Sequence, residues 1–441
     1  MKTRFVFVLT WPLLFSLGAA VGQSPAPASP DWRVRLREAI ARSTLANPEL
    51  AGMEARVEAA RRKVPQATAL PNPEVEVGIQ DVPPSDFSLS RSDFTMEMVS
   101  GRQRLPGFGK LAAEKRALVA EFDGIRAEHQ RHVVEIAADV ADSFFRLAEL
   151  DRRIAIIGET RERLTDAVAS ARERYRVGKG AQADVLRADL DKTALEDRLT
   201  SLRAERRSEA ARFNALQNLP AQAEVAPIEI PASFETIATR AVTAPDELTD
   251  QAERESPAIA AARAEIRRAE ERVEQARLER RPDFAAMAYY GRRQNFEDLA
   301  GLSVSFDLPW VHPRRLEERL AERRAEAESA RAGLSSVRNI LRRGIDQAWV
   351  ELAKNREQVR LYRDSILPQA EINYRAAREA YAVGSIDFLT YVRAATDLNM
   401  YEAEAAEREA GVGRALAALQ KASGIALIAG TPAGEQVRAQ D

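Results

Sequence analysis

Two short stretches decide how this chain reads: Tyr175-Arg176-Val177-Gly178 followed by Asp184-Val185-Leu186, and Tyr381-Ala382-Val383-Gly384 followed by Asp387-Phe388-Leu389. The second copy stands 206 positions on at the glycine and 203 on at the aspartate, so its turn is three residues shorter. Working outward, other landmarks recur in the same order. Asn47-Pro48-Glu49-Leu50 returns as Ser256-Pro257-Ala258-Ile259 and Pro73 as Pro282, both 209 positions on. Leu105-Pro106 returns as Leu308-Pro309 and Leu216-Gln217 as Leu419-Gln420, both at 203. Landmarks in one order at nearly one offset mark a tandem duplication of a unit of about 200 residues. The units run over 23–219 and 246–424. Between them lies a Pro-rich linker at 220–245, from Pro220 through Pro227 and Pro231 to Pro245, and a tail follows at 425–441.

Each unit reads as helix, two strands, then a long helical hairpin. Trp32 to Lys63 and Glu247 to Arg280 are charged, Ala-rich and periodic, and read as helices ending near Pro65 and Pro282. The period then becomes two in Glu74–Gln80 and Leu302–Leu308, with weaker alternation in Phe94–Met98 and Phe284–Tyr290. Polar loops, Asp81 to Asp86 and Arg292 to Asn295, make these two hairpins. Lys110 to Arg176 then reads as one helix, which at the α-helical rise extends to ~100 Å. Leu341, Ile345, Ala348, Leu352, Asn355, Val359, Tyr362 and Ile366 step by four and three, as do Ala137, Val140, Phe144 and Leu147, giving coiled-coil seams. The hairpins reverse at Gly178 and Gly384, with Asp184 and Asp387 as N-caps of the returning helices.

Composition narrows the chemistry. The 441 residues are 45% hydrophobic, 6% aromatic and 30% charged, a balance that suits long solvated helices better than stacked compact cores. A formal charge of -2 disfavours a nucleic-acid partner. With no cysteine and three histidines, disulfides, thiolate sites and most metal cages fall away, and we expect no catalytic residue, cofactor or resident metal. His129 and His132 share a helix face and read as solvated surface. Gly107-Phe108-Gly109-Lys110 fails as a phosphate loop because Arg104 and Leu111 stand where Gly and Ser or Thr are needed.

Met1-Lys2-Thr3-Arg4, the apolar run Phe5 to Leu17 and the small residues up to Gly22 read as a secretory signal peptide spanning 1–22. No later stretch is long and apolar enough for a spanning helix, and without cysteine no lipid on an N-terminal Cys is expected. Four strands cannot close a membrane barrel, because such barrels begin at eight strands and an open edge in lipid leaves backbone groups unsatisfied. Two chains would supply eight strands and three would supply twelve. The alternation turns Val75, Val77, Ile79, Val304 and Phe306 toward lipid and Glu74, Glu76, Ser303 and Ser305 inward. An exported chain with membrane strands belongs in an outer membrane.

These residues resemble the TolC family of outer-membrane efflux proteins over essentially the whole mature chain. The duplicated strand and long-helix unit, Asn47-Pro48-Glu49-Leu50, the Gln103-Arg104-Leu105-Pro106 to Gly109-Lys110 junction and the two Tyr-x-Val-Gly turns carry the resemblance. It implies a mostly α homotrimer: a 12-stranded membrane β-barrel continued by a 12-helix periplasmic α-barrel, with an α/β belt from Leu219 to Pro245 and the tail. It also implies a passive channel of a tripartite pump, partnered by a periplasmic adaptor protein, an inner-membrane efflux transporter and outer-membrane lipid. Asp387 is the expected periplasmic entrance gate, with Thr390 where a second acidic ring would stand. Val177, Gly178, Asp184, Val383 and Gly384 are the expected adaptor-contacting tips. The shortened second turn is more similar to the heavy-metal efflux branch than to the drug or protein-secretion branch, so the expected solutes are metal cations or drugs, with a type I protein-secretion duct as an alternative reading. A periplasmic coiled-coil adaptor without a pore is the reading from another class; an exported enzyme lacks a site.

Overall fold

The computed structural model describes residues 31–84, 89–90, 92–178, 180–231 and 244–428. The expected signal peptide, part of the first strand-joining loop, half of the Pro-rich linker and most of the tail lie outside the described residues.

The first unit opens with α1 (Trp32–Ala46) and α2 (Pro48–Gln66), then β1 (Glu74–Gln80) and β2 (Met96–Leu105), then α3 (Lys110–Arg176) and α4 (Gln182–Leu216). The second repeats the order with α5 (Pro245–Glu255), α6 (Pro257–Leu278), β3 (Phe284–Arg292), β4 (Leu299–Phe306), α7 (Pro313–Leu361), α8 (Leu367–Val383) and α9 (Phe388–Ser423). The helix expected over Trp32 to Lys63 is broken at Asn47, and that over Glu247 to Arg280 at Ser256. In both, an extended residue precedes a proline, which is excluded from the α region there but suits the first position of the next helix. Asn47 caps α2 by accepting the Glu49 N–H at 2.9 Å, and its own amide reaches the Leu216 carbonyl at 3.2 Å, tying the start of the unit to its end.

The four strands form one antiparallel meander in the order β1-β2-β3-β4, so the two expected hairpins are joined through β2 and β3. Register puts Val75, Val77, Ile79, Val99, Leu105, Phe284, Ala286, Tyr290, Leu302, Val304 and Phe306 on one face, and Glu74, Glu76, Arg102, Arg104, Ser303 and Ser305 on the other. Both β1 and β4 are edges, and residues on the apolar face stand open: Val75 is 72% exposed, Val304 70% and Leu302 87%.

α7 runs into α8 through a π turn at Tyr362–Ile366. Pro368 explains it: proline cannot donate to the carbonyl four residues back and its ring clashes there, so the backbone widens and Leu367 N–H bonds the Tyr362 carbonyl instead. Of the expected seam, Leu341, Ile345, Ala348, Leu352, Asn355 and Val359 are buried, whereas Tyr362 and Ile366 fall in the π turn, which breaks the spacing, and are only half-buried. Leu341, Ile345, Ala348, Leu352 and Val359 belong to the main core, where Phe144 meets Phe145 edge-on at 5.8 Å and Trp32, Phe213, Ile228 and Leu248 also pack. A second core, nearer the hairpin turns, is built from Leu164, Val168, Tyr374, Tyr381, Phe388 and Tyr391.

Candidate functional site

The turn ends of the two long hairpins meet. α3 ends at Val177 and Gly178, whose φ of 73° is the left-handed conformation that glycine adopts without cost. α8 ends in the same way at Gly384, φ 81°. There Ser385 N–H bonds the Ala380 carbonyl at 2.9 Å and Gly384 N–H the Tyr381 carbonyl at 3.0 Å, a Schellman closure. Arg174 joins the two tips. Its guanidinium donates to the Tyr381 carbonyl near the C-terminus of α8, and lies 4.8 Å from the centre of the Tyr381 ring. Helix dipole and ring quadrupole both favour a cation at that point. Tyr381 in turn stacks on Tyr391 at 5.3 Å and meets Phe388 edge-on at 5.6 Å. Burial holds the Tyr391 hydroxyl well above its ordinary titration range, so this aromatic plug stays neutral.

The structure separates the two expected N-cap aspartates. Asp387 caps α9, accepting the Thr390 N–H at 2.8 Å, so the two expected gate residues are bonded to one another. Thr390, through its hydroxyl and its N–H, holds the Asp387 carboxyl below the usual carboxylate range within one chain. Asp184 is not a cap. The longer first turn lets α4 begin at Gln182 behind Ala181, which leaves Asp184 in the first helical turn, where its charge still suits the helix dipole. Val177 and Val383 are 51% and 83% exposed, apolar side chains presented at the turn tips.

Between the two cores, a small apolar cluster of Leu150, Ile157, Leu199 and Leu202 is joined by buried and half-buried polar contacts. Asn399 donates to the Thr160 hydroxyl at 2.7 Å in a buried bond, Arg163 grips Glu402 at 3.0 and 3.1 Å, and the Tyr362 hydroxyl at the π turn bonds Glu404. Burial raises the Glu409 carboxyl above its ordinary range against the pull of Arg363 and Arg152. At the other end, where strands become helices, Asp283 accepts the Gly107 N–H and the Lys110 ammonium, both at 2.7 Å. Burial would raise that carboxyl, but the two donors outweigh it and the net direction is down. Among the described residues no group of acidic and imidazole side chains is placed to hold a metal ion, and the His129 ring is pushed toward neutrality by burial.

The sequence pattern does not single out Arg174, Arg163, Glu402 or Glu404, and it marks Tyr362 only as a seam position, not as the partner of Glu404. One signal did exist: Tyr374, Tyr381 and Phe388 recur every seven residues in an aromatic-poor chain.

The model of the family described as outer membrane efflux protein matches residues 39–219 and again 248–425, one match for each copy of the repeat. The chain belongs to that family. This outer membrane efflux protein is 23% identical, over 327 residues, to the cobalt-zinc-cadmium resistance protein CzcC of Cupriavidus metallidurans, a match covering 74% of each chain. Its fold is similar to that of the outer-membrane channel OprN, with a TM-score of 0.75 at 19% identity over 88% of this chain and 89% of that one. The outer membrane protein VceC of Vibrio cholerae gives 0.73 at 18% identity, over 89% and 96%. No helix of the described residues is long and apolar enough to cross a membrane.

Proposed function

We propose that three copies of this chain close a 12-stranded barrel in the outer membrane, continued into the periplasm by twelve long helices. We further propose that the assembly passively conducts solutes delivered by an inner-membrane transporter through a periplasmic adaptor. One observation carries this reading: a four-stranded sheet with open edges and an exposed apolar face runs directly into helices about 100 Å long. Such a sheet is stable in lipid only when its edges pair with further copies. The expected leader at 1–22 would deliver the chain across the inner membrane. Its units at 23–219 and 246–424 would each supply one hairpin of strands and one of helices, joined by the 220–245 linker.

In this reading the tips carry the contacts with the adaptor through Val177, Gly178, Asp184, Val383 and Gly384. Three copies of Asp387 gather around the entrance, each oriented by Thr390. Divalent transition-metal cations are the cargo, supported by the likeness to CzcC and by the short second turn. A deletion strain should become several-fold more sensitive to cobalt, zinc or cadmium, and the gene supplied in trans should restore resistance. Unchanged susceptibility to these metals and to copper and silver would sink the metal reading. The channel reading itself would fail if purified full-length protein gave no conductance in a planar bilayer.

A further inference from the structure

At the periplasmic end of the apolar sheet face, Leu105, Phe284 and Phe306 stand together, with the two phenyl rings 6.4 Å apart. The apolar surface does not stop with the strands. Past Phe306 the chain continues through Leu308 and a single 3-10 turn, Pro309–Val311, in which Trp310 is 56% exposed; past Leu105 comes Phe108, 83% exposed. Immediately below, the first residues of α7 include Arg314 and Arg315, both exposed and, among the described residues, making no side-chain hydrogen bond or ion pair. Glu317 and Glu318 follow one turn further from the strands.

We propose that this junction is a docking surface for anionic glycerophospholipid in the periplasmic leaflet of the outer membrane. Trp310 and Phe108 would lie at the acyl boundary, and Arg314 with Arg315 on the phosphate-bearing headgroup. Two observations select that occupant. The patch is continuous with the exposed apolar face of the sheet, which the proposed barrel turns toward acyl chains. The order along the chain, apolar strand, then exposed tryptophan, then unpaired arginines, is also the order of chemistry met on leaving a bilayer: hydrocarbon, interface, headgroup charge. Arginines whose guanidinium groups have no partner are free to take a phosphate bidentately. The inference rests on the sheet facing lipid.

Tryptophan fluorescence reads this surface in the mature chain, because Trp11 falls in the leader expected to be removed and Trp32 and Trp349 pack against the main core. The full chain is reconstituted in vesicles of one fixed composition, phosphatidylethanolamine with a minority of phosphatidylglycerol. Bromine is placed on the acyl chains either of the phosphatidylglycerol or of an equal fraction of the phosphatidylethanolamine. Subtracting the Trp310→Phe variant isolates the Trp310 signal. The surface should give about threefold or more stronger quenching from brominated phosphatidylglycerol, since each basic residue near a headgroup contributes measurably to anionic-lipid preference. An Arg314→Gln/Arg315→Gln double variant should bring the two lipids to parity while keeping quenching by phosphatidylethanolamine; its circular dichroism should match the parent. Equal quenching by both lipids in the parent overturns headgroup selection. A chain that floats with the vesicles but shows no Trp310 quenching overturns the lipid assignment in favour of a neighbouring copy over Trp310. A chain that does not float at all defeats the sheet-in-lipid reading first, and the proposal with it.

Discussion

Removing Arg174 should loosen the channel's entrance. The side chain belongs to the first hairpin, yet its guanidinium bonds the Tyr381 carbonyl and covers the Tyr381 ring of the second, so it is a direct tie between the two halves of one tip. A charge-assisted hydrogen bond contributes about 1.5–3 kcal/mol and a cation–π contact about 0.5–2. The site is half-buried, and ordering a long side chain costs entropy, so about 1–2 kcal/mol per chain is a fair net figure. If three tips move together, the opening equilibrium shifts on the order of a hundredfold or more. Arg174→Ala should therefore raise open probability in planar bilayers and admit large antibiotics into cells that make it. Arg174→Lys keeps the charge without the planar fork and should fall between. Tyr381→Phe keeps both the carbonyl and the ring, and should resemble the parent. An Arg174→Ala channel present in the outer membrane at parental levels, with parental conductance and permeability, would refute the reasoning.

Gly384→Ala should destabilise the protein by roughly 1–2 kcal/mol, read by chemical denaturation, because it places a Cβ at positive φ and 3.1 Å from the Arg174 guanidinium. Gly178→Ala carries the φ cost alone, with nothing within 4 Å of the added carbon, and should do less harm. Gly413→Ala would drive a methyl to 2.5 Å from the Phe145 ring, so a loss of about 1–3 kcal/mol and a fall in the amount of folded channel are expected. Asn399→Ala leaves the buried Thr160 hydroxyl without its donor and should cost about 1–3 kcal/mol, whereas Lys421→Ala, at an exposed ion pair with Asp139, should cost under about 1. The Asp283 carboxyl lies below its ordinary range in the folded chain, so its stabilising bonds are fully present above the usual carboxylate range. They are lost as pH falls through the lowered value; Asp283→Asn should flatten the acid limb of a stability-against-pH curve.

What the sequence discloses follows from how local each cause is. The bounds of α3 are visible because a seam repeating over many turns is its own evidence, and the reversals at Gly178 and Gly384 are visible because few residues tolerate that backbone. The breaks at Asn47 and Ser256 escape a periodicity argument, since they redirect the helix while apolar spacing resumes beyond them, although the Pro beside each carries the signal. β2 continues to Leu105, past the alternation at Phe94–Met98, because its second half is held by pairing with β3 rather than by its own pattern. β4 begins earlier than its alternation, at Leu299, for the same reason. Asp184 and Asp387 look alike in sequence, and only the three extra residues of the first turn decide that one caps a helix and the other does not. Arg174 stands among many arginines on a charged helix, so its tie to Tyr381 emerges only when the hairpins are brought together.

The most direct test of the account is the number of chains in the particle extracted from outer membranes in mild detergent, measured by native mass spectrometry on the full-length protein. Three chains per particle are expected, since four strands from each then make a closed ring of twelve. A particle of one chain, or a homogeneous pair, would contradict the closure from which the channel reading is built.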